Sequence, residues 1–361
     1  MAVLGAAGTI APAIVHDLAR SDEVASMALL DLDADKAAAV AQERGAGKAT
    51  AEAIDARDVD ALARAVEGAA VLVNTASYRI NLEAMRACLQ AGCHYLDLGG
   101  LYWMTGRQLE LGPEFERAGR LAVLGIGSSP GKTNLMARGA VNQLGERAGG
   151  IDTIEVMAAG RDPAAPGDGR LRPPYAIQTL LDELTLEPVV IRDGHPEQIK
   201  PLSAGGAVDY GEPIGRGETI YTLHSEMATF GASFGCANAS FRLSLAPALL
   251  GRLEGLVGAP AEEVAKASRE AASPSNETVS VHLVVVRGAN GDEITARAIT
   301  RPHFGLGGSV VSTATPAAAC ARLFARGALT ATGAHPPELC IDPPLMFPEL
   351  EARGCTFSLT S

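Results

Sequence analysis

The run Leu4-Gly5-Ala6-Ala7-Gly8-Thr9-Ile10-Ala11 joins a short apolar stretch, Ala2–Leu4, to a stretch of helical period, Ile10–Arg20. In that setting Gly5 permits a tight turn, and Gly8 omits the Cβ that would obstruct a pyrophosphate. Ala11 lets the helix close on a sheet. Ala7, Thr9 and Ile10 then present N–H groups at a helix N-terminus, where phosphate is favoured. Asp31 ends the second apolar run, 23 residues beyond Gly8. That is close to the ~20 expected of a carboxylate that holds ribose hydroxyls. Leu32-Asp33-Ala34 offer no cation to a 2′-phosphate, and two aspartates would repel one, so the spacing predicts NAD rather than NADP. Asp33 reads as the cap of the following helix. The same turn also occurs in nucleotide-sugar and sensor proteins that carry out no redox step.

Two further strand ends fall where such a sheet binds ligands. Val73-Asn74-Thr75-Ala76 supplies Asn74, Thr75 and Ala76 as cofactor contacts, although Asn74 reads equally well as a turn former. His94-Tyr95-Leu96-Asp97-Leu98-Gly99-Gly100 supplies Asp97 and Gly99.

The elements that must position these residues alternate. Strands are predicted at Ala2–Leu4, Ser26–Leu32, Ala49–Ile54, Ala70–Asn74, His94–Asp97 and Leu121–Ile126. Amphipathic helices lie between them, which is the rhythm of βαβ units and a parallel sheet. After ~130 the rhythm changes. A helix at Asn134–Gln143 and a strand at Ile151–Ala159 are followed by a helix at Ile177–Leu184 and a strand at Pro188–Arg192. The latter ends in an Asp193-Gly194 turn, with a return strand expected at Ile199–Leu202. Thr219–His224 reads as a strand, and Val279–Arg287, Asn290-Gly291 and Glu293–Thr300 read as a hairpin. The last helix is expected at Pro316–Arg326, before an irregular tail from Gly333. The fold class is therefore α/β, a Rossmann domain plus an α+β substrate domain with a mixed or antiparallel sheet. The Pro/Gly-rich stretch Asp162–Pro174 reads as a linker.

Composition sets the outer bounds. A chain of 361 residues predicts two domains of ~100–200 residues each. Hydrophobic residues at 47% and charged residues at 20% exclude general disorder. A net charge of −12 without a basic stretch excludes a nucleic-acid partner. The six cysteines form no CxxC pair and no Cys/His cluster of zinc-ligand spacing, so neither a metal site nor a disulfide framework is expected. Cys88 and Cys93 read as small buried hydrophobes. Met1-Ala-Val-Leu-Gly5 lacks a basic flank and a cleavage site, and no run of ~18 apolar residues is present. A cytoplasmic protein without membrane attachment is expected.

Several of these motifs together resemble the saccharopine dehydrogenase-like superfamily, and within it the lysine 6-dehydrogenase branch. The likeness runs through Val71–Thr75, the helix after Asn81, Ala91–Gly100 and Gly127-Ser-Ser-Pro-Gly-Lys-Thr-Asn134. It returns in Thr179–Asp182, Ile191–Gly194, Gly333–Glu338 and Leu350–Phe357, and is thin between 200 and 310. Thr222–Thr229 departs from the Gly/Thr/Ser-rich stretch of lysine 6-dehydrogenases. The resemblance implies oxidation of an amino-acid or opine C–N bond by hydride transfer to nicotinamide, then hydrolysis of the imine. It also implies a discontinuous dinucleotide domain, 1–130 with 315–361, around a substrate and dimerisation domain, 131–314.

Such chemistry needs a neutral amine and a base to take its proton. An amine of pKa ~10.4 gives up that proton only with help from desolvation or a base. Asp97, His224 and Lys132 are the candidates. Asp97 reads equally well as a turn cap, His224 as a core histidine with Glu226 beside it, and Lys132 as a surface lysine. Tyr78, Tyr102 and Trp103 are candidates to wall the substrate pocket or to pack against a neighbour. Asn134 and Glu226 add polar substrate contacts, and Arg161, Arg172 and Arg242 are available for a substrate carboxylate. The primary reading is oxidative deamination of a basic, L-lysine-like amino acid. Alternatives are an opine- or carboxynorspermidine-type reductase joining an amine to a carbonyl compound, and a non-catalytic dinucleotide sensor. A homo-oligomer is expected, with the Val279–Thr300 hairpin offering a sheet edge to a partner.

Overall fold

The first βαβ repeats form as their periodicity dictates. β1 (Ala2–Leu4), α1 (Ala11–Ala19), β2 (Met27–Asp31), α2 (Ala34–Arg44), β3 (Ala49–Ala53), α3 (Val59–Ala65), β4 (Val71–Asn74), α4 (Asn81–Ala91) and β5 (His94–Asp97) alternate. α5 (Leu101–Leu109), α6 (Gly112–Arg117) and β6 (Leu121–Val123) complete this stretch. Next come α7 (Lys132–Leu144), β7 (Ile151–Arg161), α8 (Ile177–Thr185), β8 (Val189–Arg192), β9 (His195–Gln198), β10 (Ala204–Asp209) and β11 (Arg216–Tyr221). α9 (Phe230–Phe234), β12 (Asn238–Ser244), α10 (Pro247–Glu254), α11 (Ala261–Glu270), β13 (Val279–Gly288) and β14 (Glu293–Thr300) follow. The chain closes with α12 (Gly308–Ala325), β15 (Gly333–His335), α13 (Pro337–Cys340), α14 (Pro343–Glu351) and β16 (Cys355–Thr360). This computed structural model describes residues 1–164 and 170–361, so part of the Asp162–Pro174 stretch lies outside the described residues.

The chain divides into two units, Met1–Leu135 with Thr313–Leu350, and Met136–Ser312 with Glu351–Ser361. The first holds a parallel sheet of order β15-β6-β5-β4-β1-β2-β3. Residues Leu30, Leu4, Asn74 and Asp97 stand side by side in register across four strands. They mark the carboxyl edge, and the strand order reverses beside β1, where such sheets bind ligands. One face of this sheet is sealed by Leu30, Leu62, Leu72, Met85, Tyr95 and Phe115.

The second unit is a mixed sheet of order β10-β11-β12-β7-β13-β14-β16, with β8 and β9 attached beside β12. β12 runs parallel to β7, and the other pairs of that order are antiparallel. Met157, Ala159, Tyr210, Val281, Leu283 and Ile299 form the core of one face.

Four expectations need correction. The return strand after the Asp193-Gly194 turn is β9, not Ile199–Leu202. Both turn residues have positive φ, 49° and 79°, so the hairpin closes at once with Arg192 opposite His195. The strand expected to reach His224 ends at Tyr221, leaving His224 in an extended connector before a short 3-10 turn, Ser225–Ala228. α12 begins at Gly308 and carries Pro316 inside it, although a proline suggests a helix start. Finally, β16 joins the second sheet by pairing with β14, so the last residues do not return to the nucleotide unit. The β13–β14 hairpin therefore offers no free edge, since β13 also pairs with β7. All six cysteines are free, and Cys88 and Cys93 are buried. Among the described residues no helix is long and apolar enough to cross a membrane.

Candidate active site

The glycine turn is built by close approach. Gly5 has φ +76°, and a Cβ there would lie 2.6 Å from the Ala76 nitrogen, so only glycine fits without strain. Gly5 donates its N–H to Leu30 O at 2.8 Å, and Thr75 Oγ1 donates to Leu4 O at 2.7 Å. Gly8 and Thr9 are exposed at the start of α1, while Ile10 is buried beneath them. The two oxygens of Asp31 accept from Ala7 N at 2.9 Å and Asp33 N at 3.0 Å. A carboxylate has about four lone-pair sites, so Asp31 keeps capacity for two hydroxyl donors. Amides at a helix start, a glycine where backbones meet and a strand-end carboxylate together fit a dinucleotide. Asp33 caps α2 through Lys36 N at 3.1 Å, and its carboxylate also pairs with Lys36 Nζ at 2.8 Å. Sequence reading passed over that lysine because it lies beyond the strand end.

At the ends of β4 and β5 the side chains form a buried knot. Asp97 Oδ1 accepts from Gly99 N at 2.9 Å and Gly125 N at 2.7 Å. Its Oδ2 accepts from Tyr95 OH at 2.9 Å, Gln108 Nε2 at 2.6 Å and Asn81 Nδ2 at 3.2 Å. Asn74 donates to Asn81 Oδ1 at 2.9 Å and Tyr95 OH at 3.1 Å, and accepts from Ala76 N at 3.1 Å. Burial raises the proton affinity of Asp97 above the usual carboxylate value, against the pull of these donors. The geometry gives Asp97 the turn-capping position, fixing both the β5 and β6 exits. Tyr95, Asn81 and Gln108 went unnoticed in the sequence.

The Pro-Gly loop after β6 is equally constrained. A Cβ on Gly131 would lie 2.4 Å from Gly127 atoms. Gly131 N donates to Asn134 Oδ1 at 2.7 Å, and Asn134 Nδ2 donates to Glu338 at 2.8 Å. Lys132 is 1% exposed, which corrects its reading as a surface lysine. Tyr102 meets Trp103 edge-on at 4.7 Å, and Trp103 is 53% exposed. Tyr78 is half-buried beneath the Arg79 guanidinium, 4.7 Å from its ring centre.

The second unit carries its own acid–base cluster. His224 and Glu226 are buried, with Nδ1 of the ring bonded to the carboxylate. The imidazole stacks on Phe241 of β12, with ring centres 3.6 Å apart and planes 15° from parallel. Burial works against the charged ring, yet Glu226 and Glu183 outweigh it and raise the proton affinity of His224. Glu183, buried on α8, accepts from Tyr175 OH at 2.5 Å. Burial pushes its carboxyl up to about 7, against His224 and the Tyr175 hydrogen bond. The sequence reading named His224 and Glu226 but missed Glu183 and Tyr175. A glutamate on the apolar face of a helix was the available signal.

The three arginines have hydrogen-bond partners of their own within the second unit. Phe241 stands opposite Val156, and Arg161 is five residues further along β7, about 16 Å at strand rise. Arg161 donates to Pro213 O at 3.3 Å, and Arg172 donates to Ser273 O at 3.0 Å. Arg242 is committed to Glu155 at 2.6 Å and Gly205 O at 2.8 Å.

The fold and nucleotide edge define a two-unit α/β protein with a Rossmann-type dinucleotide-binding domain. Residues 1–123 match the family model described as the saccharopine dehydrogenase NADP binding domain. The chain is 25% identical over 233 residues to carboxyaminopropylagmatine dehydrogenase of Synechocystis, covering 61% of this chain and 56% of that protein. It is 31% identical over 126 residues to carboxynorspermidine synthase of Vibrio alginolyticus, covering 30% and 29% respectively. The matched part thus spans about half the first relative and less than a third of the second. Saccharopine dehydrogenase (L-Glu forming) of Saccharomyces cerevisiae shares the fold, with a TM-score of 0.72 at 15% identity, over 100% of this chain and 99% of that one. The match over residues 1–123 agrees with the resemblance read from the motifs of that stretch.

Proposed function

We propose that this chain is an NAD-dependent oxidoreductase acting on the C–N bond of a basic, carboxylate-bearing amine. The observation that carries this reading is the nucleotide edge of the first unit, where the exposed residues Gly8 and Thr9 precede α1 and Asp31 closes the turn by accepting from Ala7 N. The saccharopine dehydrogenase-type family model over that domain supports an amine substrate. Bound nicotinamide would exchange the hydride, and the chain's own residues must handle the proton. We assign that proton to His224, with Glu226 fixing its ring through Nδ1. We assign Asp97 to holding the loop at Gly99, and the buried Lys132 to the start of α7 after the Pro-Gly loop.

NAD is preferred because Asp31 and Asp33 oppose a 2′-phosphate. Lys36 favours NADP as a second reading, since its Nζ reaches Asp33. For the substrate, the middle-region resemblance supports deamination of L-lysine or a similar amino acid. The names of the two relatives, both of amines that carry a carboxyl group, support the reductive joining of an amine to a carbonyl compound. Six free cysteines support a reducing compartment such as the cytoplasm. A homo-oligomer is supported by β16, an uncharged strand at the sheet edge.

Replacing His224 with Asn tests the assignment. Turnover is expected to fall ~10²–10⁴-fold while NADH affinity holds, as for a positioned acid–base group. Near-normal turnover would place the proton on another residue.

A further inference from the structure

We propose that Glu183, held by Tyr175, is the positioning residue that sets the proton affinity of His224, making the cluster a site of two carboxylates and one imidazole. This rests on the assignment of His224 given above. The buried residues of α8 are Ile177, Leu180, Leu181, Glu183 and Leu184, so one carboxylate lies within an otherwise aliphatic stripe. An ionisable group in such a place persists only with partners. Tyr175 OH supplies one at 2.5 Å. The Leu223 N–H donates to the main-chain oxygen of Glu183 at 3.3 Å, pinning the segment that carries His224 against α8.

The imidazole is held from two further sides, by Glu226 at Nδ1 and by Phe241 across one face. That leaves Nε2 as the atom for proton exchange. The charges acting on His224 are Glu226 and Glu183. Those acting on Glu183 are His224, Glu226 and Asp182, with the Tyr175 hydroxyl bonded to it, and the cation among them is His224. Ionised Glu183 therefore favours the imidazolium, and protonated Glu183 releases it, so the two titrate as a coupled pair. The raised proton affinity of His224 agrees with this, while Glu183 stands at about 7 through burial, against the pull of the imidazolium.

The coupling has a chemical direction. With Glu183 ionised, His224 is a loaded acid. In the joining direction its Nε2–H bond breaks as a proton passes to the hydroxyl of a carbinolamine. The C–O bond then breaks, water leaves, and the nitrogen lone pair forms the C=N bond. The imidazole left behind is neutral, and ionised Glu183 raises its affinity for the next proton.

NMR titration of the His224 ring in the full chain tests the link directly, comparing wild type with Glu183→Gln and Tyr175→Phe. Glu183→Gln is expected to lower the His224 midpoint by about one pH unit, the usual effect of losing a neighbouring opposite charge. The corresponding limb of the kcat/KM profile should move by the same amount, with NADH affinity unchanged, and Glu183→Asp should restore part of the shift. Tyr175→Phe removes a bond that favours ionised Glu183, so it should lower the His224 midpoint by less. If Gln at 183 prevents folding, Tyr175→Phe still decides. An unmoved His224 midpoint in a folded variant overturns the proposal. A shifted midpoint in a protein that turns over no amine upholds the proton linkage and overturns the functional reading instead.

Discussion

Asp31 and Asp97 are both carboxylates at the carboxyl ends of strands in one sheet, but their surroundings assign them different work. Asp31 is half-buried and accepts one backbone N–H on each oxygen, which leaves acceptor capacity for two ribose hydroxyls. Asp97 is 1% exposed and accepts from Gly99, Gly125, Tyr95, Gln108 and Asn81, which uses its lone pairs within the chain. Replacing Asp31 with Ala should therefore weaken NADH binding by ~1.5–3 kcal/mol, the value of a hydrogen bond to a charged group. The NADH-to-NADPH preference should narrow at the same time. Calorimetric titration with both nucleotides checks this, and an unchanged NADH affinity would remove Asp31 from the ribose. The place of each aspartate was legible, because strand ends follow from periodicity. The partners of Asp97 were not, since Asn81 and Gln108 reach it only after α4 and α5 have packed.

The elements of the nucleotide unit were legible for a related reason. Each buried strand there is an apolar run bounded by turn residues, and each helix is local. The second unit depends on pairings between distant segments, and its errors follow from that. β12 alternates strictly between buried and half-buried residues, a readable period of two that the sequence reading passed over. β10 is Gly-rich and bulged, which blurs any pattern. β16 was read as irregular tail, and its pairing with β14 turns the question of an exposed edge from the hairpin to β16 itself. Its residues, Cys355-Thr356-Phe357-Ser358-Leu359-Thr360, include no charge or proline to blunt pairing, and Leu359 is 43% exposed. Light scattering should accordingly give a mass above the 37.1 kDa of one chain. Ser358→Lys on that edge should shift the population toward the single-chain mass. A single-chain mass in the unsubstituted protein at micromolar concentration would contradict the edge-pairing account.

Across the whole molecule, the nucleotide edge belongs to the first unit and the Tyr175–Glu183–His224–Glu226 cluster to the second. The proposed function gives the first the dinucleotide and the second the proton, the two requirements of interconverting an amine and an imine. The most direct measurement follows nicotinamide absorbance of the purified chain in both directions. One direction uses NAD with L-lysine and a panel of amino acids, diamines and carboxylated secondary amines. The other uses NADH with a diamine and an aldehyde-bearing amino acid. Turnover with a basic amine in at least one direction, faster with NAD(H) than with NADP(H), is the result expected here. Tight NADH binding without turnover of any amine or amine–aldehyde pair would contradict it, and would make the protein a dinucleotide sensor.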